Sequence, residues 1–273
     1  MKQLVQIAFV ALVLSGCSSD DFKTDNGLTY RFVNEYPDHK TGNIEDIYLV
    51  NMMATTEDGD TILSESLMFE RYHPRMRGDF QDALARLHEG DSAIFKLNAD
   101  SFFEYHPGTL DLRTAEQRMN PTIDMHIGVT SILSPLDHFV YMSEQELVRM
   151  NEFVARKRWD VKTDSTGIMY EITIHKPENQ HVLMGDTVKL TYLYYTLGEK
   201  IIARSKDGDF WRMEVGDPAL RVSGLSRILT FMREGERIRA ILPFAEAFGE
   251  DGMPPLVPPY TPVVMEITVE ELN

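Results

Sequence analysis

The stretch GERIRAILPFAEAFGEDGMPPLVPPYTPVVMEITV, residues 235–269, governs how the rest of the chain is read. Its two ends alternate apolar and polar residues with the period of a β-strand. Ile238, Ala240 and Leu242 form one set, and Val263, Met265, Ile267 and Val269 the other. Between them, residues 242–264 hold six prolines and two glycines. Proline narrows the conformations open to a loop. Aliphatic residues held in such a loop, Leu256 and Val257 among them, read as one wall of an apolar recess.

The same strand returns earlier in the chain. Ile123, Met125, Ile127 and Val129 precede Val263, Met265, Ile267 and Val269 at an offset of 140. At that offset Gly27-Leu28-Thr29-Tyr30 answers Gly167-Ile168-Met169-Tyr170, and Tyr48, Val50 and Met52 answer Val188, Leu190 and Tyr192. GDSAIFKL at 90–97 answers GERIRAIL at 235–242, offset by 145. Four matches in the same order make an internal duplication. Each copy carries a short helical piece before its Gly-acid step, DFQDALARLHE at 79–89 and LSRILTFMRE at 225–234. Leu84 and Leu87 in the first piece, and Leu225, Ile228 and Leu229 in the second, face the sheet. The class is therefore α+β, with two domains of antiparallel strands on a short helix. They span 27–135 and 167–273, joined by a linker helix within 136–166. The spacing predicts that helix over Ser143–Trp159, with Ser143 and Glu146 as a capping box and Leu147, Met150 and Val154 as its apolar stripe.

The N-terminus is a separate signal. Lys2 precedes an apolar run from Leu4 to Leu14 that is too short to span a bilayer, and LSGC at 14–17 resembles the bacterial lipoprotein signal. The resemblance implies cleavage after residue 16, acylation of Cys17 and membrane attachment through it, with 17–26 as a tether. An ordinary secretory signal with an incidental cysteine is the alternative. Cys17 is the only cysteine, so no internal disulfide can form. Ser18 favours the outer membrane, and the acidic SDDF at 19–22 resembles an export tag. The expected location is the outer membrane, lipid-anchored, on the periplasmic face or at the cell surface.

The second half, from Gly167 to Asn273, resembles an FKBP-type peptidyl-prolyl cis-trans isomerase domain. The run GDTVKLTYLYYTLGEKIIARS (185–205) carries the resemblance, followed by VGDPALRVSGL (215–225), FMREGERIRAILP (231–243), AFGEDG (247–252) and VPPYTPVVMEITV (257–269). The first half resembles a divergent second copy, as in tandem lipoproteins of Bacteroidetes type. The resemblance implies a half-wrapped antiparallel sheet around a short helix, with an apolar prolyl pocket between them. Tyr192 takes the place of the pocket tyrosine, Ile202 that of a phenylalanine, and Trp211 the aromatic position before the Val-Gly turn. Val222 and Leu225 match the helix start, with Leu225 where many members have tryptophan. Phe248 replaces the tyrosine of the AYG motif, Leu256 and Val257 match the flap pair, and Met265 sits where phenylalanine is common. No cofactor and no metal are implied. The partners implied are proline-containing polypeptides.

An Xaa-Pro amide rotates over a barrier of roughly 18–20 kcal/mol because resonance must be broken. A site made of apolar walls can lower it by disfavouring the charge-separated planar amide relative to the twisted one. Two departures bear on this. The family's acidic residue falls at Ala203, and Phe248 lacks the hydroxyl that bonds a bound carbonyl. In the first copy Met52 stands for the tyrosine, Leu63 lies near the acidic position, and the segment 106–121 carries charges where the second flap has aliphatics. Tyr192, Val222 and Met265 also suit simple core packing, whereas Trp211, Phe248, Leu256 and Val257 fall in loops or at strand ends.

Other chemistries find little footing. A net charge of −16 opposes nucleic acid, whose phosphates need clustered Lys and Arg. The eight histidines form no HxxxH or HExxH pair, and no Walker loop or GxSxG elbow occurs. Two functions remain open. One is a membrane-anchored prolyl isomerase that assists exported or outer-membrane proteins. The other is a non-catalytic interaction lipoprotein, an accessory subunit of an outer-membrane assembly, secretion or gliding complex.

Overall fold

A computed structural model describes residues 21–106, 111, 113–115, 117–206 and 208–273. Cys17 and the signal segment lie outside the described residues. Two compact units divide between His138 and Phe139. The first holds β1 (Lys23–Asp25), β2 (Leu28–Asn34), β3 (Ile47–Thr55), β4 (Thr61–Glu70), α1 (Phe80–Leu84), β5 (Ser92–Asn98), α2 (Ala99–Tyr105) and β6 (Thr122–Leu133). Helix α3 (Pro135–Lys157) contains the division. Then follow β7 (Lys162–Thr163), β8 (Met169–Ile174), β9 (Thr187–Thr196), β10 (Ile201–Arg204), β11 (Trp211–Glu214), α4 (Ser223–Leu229), β12 (Arg237–Leu242) and β13 (Val263–Leu272).

The duplication holds at the level of topology. The first sheet runs β1-β2-β5-β6-β3-β4, and the second runs β7-β8-β12-β13-β9-β10 when read from the matching edge. All neighbours are antiparallel. One difference matters for the site. The long edge strand β4 is matched by two short strands, β10 and β11, which both pair with β9. Between them the edge leaves the sheet, and Ser205 Oγ accepts from Tyr192 N at 2.9 Å where the ladder ends.

The repeated Gly-acid step has a common physical cause. Gly90 and Gly235 sit at φ +90° and +76°, a region open to glycine. Their N–H groups donate to Val129 O and Val269 O at 2.9 and 2.7 Å. The acid that follows is buried in both copies, Asp91 at 0% and Glu236 at 3% exposure. Asp91 accepts from the backbone of Tyr36 and His88, and Glu236 from that of Lys176 and Arg233. Each carboxylate thus ties the turn after its helix to the loop after the lead strand, saturating amides that would otherwise be buried unpaired.

Each unit has its own core. Leu84 and Leu87 are fully covered in the first, as are Ile228 and Leu229 in the second. The linker helix corrects one expectation. It starts at Pro135, eight residues before Ser143. Ser134 caps it by accepting from Asp137 N at 3.1 Å, and proline at the first turn has no N–H to leave unpaired. Ser143 is interior and donates to Phe139 O one turn back. The buried stripe is Glu146, Met150 and Phe153, while Leu147 is 50% exposed. Met150 and Phe153 pack with Met169, Tyr195, Ile241 and Val264 on the outer face of the second sheet.

Candidate functional site

Strand β9 presents Val188, Leu190, Tyr192 and Tyr194 to the inner core, while Tyr195 belongs to the outer cluster. Trp211 opens β11 opposite Leu190, and its ring meets Tyr192 edge-on at 5.6 Å. Ile202 lies at the irregularity of β10, where the register with β9 shifts. Val222 precedes α4 without a side-chain cap, and Leu225 lies in its first turn. Val222, Leu225, Val257 and Met265 are buried, and Tyr192, Ile202, Trp211 and Phe248 are half-buried members of the same apolar cluster. The chain thus brings eight of the nine expected pocket residues together. The buried four make a floor, and the half-buried four make a rim that a partner can touch.

Leu256 is the exception. It is 41% exposed, whereas Val257 beside it is fully covered. Met253 N donates to Val257 O at 2.8 Å, and Val257 N to Met253 O at 2.9 Å, closing the flap tip into a tight loop. Val257 then points into the core and Leu256 outward. The expectation that both flap aliphatics face one recess fails for Leu256, which turns to solvent while Val257 joins the core.

The root of the flap is anchored by contacts that sequence reasoning did not foresee. Phe244 N donates to Glu146 Oε1 at 2.6 Å, and the Phe244 ring meets Phe139 at 5.3 Å and Tyr260 at 5.1 Å. Tyr260 Oη donates to Glu250 Oε2 at 2.7 Å across the loop. Burial pushes the Glu146 carboxyl up to about 7, opposed by its bond from Phe244 and by the Arg149 charge. Glu146 could have been suspected, since it lies one turn before Met150 on the covered face. Its partner could not.

Tyr194 was also missed, although it shares the parity of Tyr192 on an alternating strand. It pairs with Ala203 on β10 and Met265 on β13, and its ring tilts against Tyr192 at 4.9 Å. Ala203 packs on the same cluster, so the position lacking an acid is occupied by a methyl group beside a tyrosine.

In the first unit the counterparts are sealed. Met52 is 2% and Leu63 1% exposed, both within the core. A cavity of about 110 Å³ lies elsewhere in that unit, beside Tyr72, Arg75, Phe80, Phe102 and His106. His106 is packed among Phe69, Phe80 and Phe102, and burial lowers its basicity. The cavity shares no residue with the expected pocket of the second unit. Residues 107–110, 112 and 116 of the first flap segment lie outside the described residues. Among the described residues, no group of three His, Asp or Glu side chains is placed to hold a metal ion, and no helix is long and apolar enough to cross a membrane.

The apolar floor and rim offer no nucleophile and no acid–base pair. They can take an apolar ring and exclude water around an adjoining amide.

Comparison with known proteins finds a family match in the second unit. Residues 178–270 match the model of the FKBP-type peptidyl-prolyl cis-trans isomerase family. No curated protein matches the chain. Among solved structures, it is similar to a peptidyl-prolyl cis-trans isomerase of Pseudomonas syringae pv. tomato. The identity is 22% and the TM-score 0.41, over 48% of this chain and 96% of that one. It is similar to FkpA from Escherichia coli at 19% identity and TM-score 0.40, over 49% of this chain and 63% of that one. The three FKBP domains of wheat FKBP73 align over 93% of this chain and 99% of theirs, at 14% identity and TM-score 0.38.

Proposed function

We propose that this chain, whose residues 178–270 form an FKBP-type domain, is a peptidyl-prolyl cis-trans isomerase acting on proline-containing polypeptides through its second unit. The observation that carries the reading is the gathering of Tyr192, Ile202, Trp211 and Phe248 as a half-buried rim over Val222, Leu225, Val257 and Met265. A prolyl ring seated there leaves water, and burial of an apolar ring of that size favours binding by roughly 1.5–3 kcal/mol. The adjoining amide then sits beside apolar walls that do not solvate its planar, charge-separated form. The twisted amide, with less charge separation, loses less on entry, and the barrier falls.

The anchoring reading is part of the same proposal. The LSGC motif supports acylation of Cys17, and Ser18 supports an outer-membrane destination. A prolyl isomerase held there meets exported and outer-membrane proteins as they fold, at the stage where isomerisation takes tens to hundreds of seconds unaided. The second reading, an interaction subunit without turnover, is favoured by Ala203 and by Phe248, which has no hydroxyl for a bound carbonyl.

The test is cis/trans exchange of a short Xaa-Pro peptide by NMR, with the full chain in mild detergent. Exchange faster than the uncatalysed rate, lost in Trp211→Ala while the circular dichroism spectrum is kept, is the expected result. Peptide-induced shifts without faster exchange would leave the interaction subunit as the function.

A further inference from the structure

Tyr194 carries a hydroxyl that the fold does not use. The residue is 7% exposed, and its Oη has no hydrogen-bond partner among the described residues. Leaving a buried hydroxyl unpaired is costly, and native interiors pair most of them. The neighbouring Tyr195, on the opposite face of the strand, shows the ordinary solution: its Oη donates to Glu266 Oε1 at 3.0 Å. A phenylalanine at 194 would fill the same space without the unpaired group.

The surroundings say what the hydroxyl is for. Its ring lies against Tyr192, a rim residue of the apolar cluster, and its backbone pairs with Ala203 and Met265. Ala203 and Phe248 together leave that rim without an acid and without a flap hydroxyl. Burial pushes the ionisation of Tyr194 far up, so it stays a neutral O–H donor at any physiological pH.

We infer that Tyr194 is the polar substrate-binding residue of this pocket, its hydroxyl donating a hydrogen bond to a backbone carbonyl of the bound Xaa-Pro peptide. The assignment rests on the prolyl-peptide reading above. The carbonyl is one flanking the rotating amide and not the oxygen of that amide. A donor on the amide oxygen would stabilise its planar, charge-separated form and oppose rotation. Tyr194 therefore sets the register of the peptide, and the apolar walls act on the amide.

The experiment compares the full chain with Tyr194→Phe and Tyr195→Phe, by NMR titration of an Xaa-Pro peptide and by urea unfolding. Losing one neutral hydrogen bond in a dry site should weaken binding about fivefold to tenfold in Tyr194→Phe. The urea midpoint of Tyr194→Phe should stay level or rise, because the unpaired hydroxyl is gone. Tyr195→Phe should lose stability and keep affinity. In the wild-type chain the ring carbon bearing the Tyr194 hydroxyl should shift on peptide saturation. Equal affinity in wild type and Tyr194→Phe, with no such shift, overturns the assignment while leaving the pocket standing. A wild-type chain that does not respond to peptide at all overturns the proposed function, and this assignment with it.

Discussion

The flap depends on single residues whose neighbours leave no slack. Gly252 sits at φ +67°, and a Cβ there would come within 2.4 Å of Pro258 O and 2.5 Å of Val257 O. Both contacts are backbone, so a substituted side chain cannot be relieved by a rotamer change. Gly252→Ala must push the 257–258 segment outward and draw Val257 from the core. We expect a loss of about 2 kcal/mol or more in urea unfolding, with weaker peptide binding in the same variant. An unchanged midpoint would mean that the flap tip is not closed by the Met253–Val257 bonds. The opposite lesson comes from Leu256, which any polar residue could replace without touching the core. At this scale the family motif alone misleads: two adjacent aliphatics share a motif and face different media.

Elements are coupled where α3 meets the root of the flap. The Glu146 carboxyl is 3% exposed, and Phe244 N–H and the Arg149 charge are the groups that act on it. Burial outweighs both, lifting it from 4.5 in a free side chain to about 7. Between those values the folded chain keeps a proton that the unfolded chain has released. The contribution of the contact is therefore complete below pH 4.5 and declines as pH rises through about 7. Glu146→Gln keeps an acceptor for Phe244 N–H and cannot ionise. It should flatten the fall in stability between pH 5 and pH 8. At pH 8 the variant should exceed wild type by on the order of 1–2 kcal/mol once partial solvent screening is allowed for. Parallel pH profiles for wild type and variant would show that the carboxyl ionises in the fold at no cost.

For the whole molecule, the duplication separates a common scaffold from unequal surfaces. Both units share strand order, helix placement and the Gly-acid tie, yet among the described residues the edge strand is split in the second unit and continuous in the first. In the first unit β4 is continuous, and Met52 and Leu63, which match Tyr192 and the acidic position, are sealed in the core. The lipid anchor proposed at Cys17 belongs to this scale as well, since it would set where the chain works. In a bacterial host that makes lipoproteins, the wild-type chain should sediment with membranes and take up labelled palmitate. Cys17→Ala should appear in the soluble fraction without label. Unchanged sedimentation of Cys17→Ala would remove lipid attachment from the proposal.

What the amino-acid sequence determined by itself was the α+β class, the duplication and the membership of the inner faces. Alternation and positive-φ glycine are local demands: Val188, Leu190 and Tyr192 must share a face, and the chain must turn at Gly90 and Gly235. The family resemblance named nine residues for the pocket, and eight of them share one apolar cluster. Tyr194 was legible by parity with Tyr192, although its lack of a partner was not. The helix start was misplaced because Ser143 and Glu146 satisfy a capping pattern equally well at an end or inside a helix. Only the tertiary structure separated the covered Val257 from the exposed Leu256, and gave Glu146 its partner 98 residues away. Burial and pairing depend on which distant segment lies over a side chain, and no period in the local sequence carries that information.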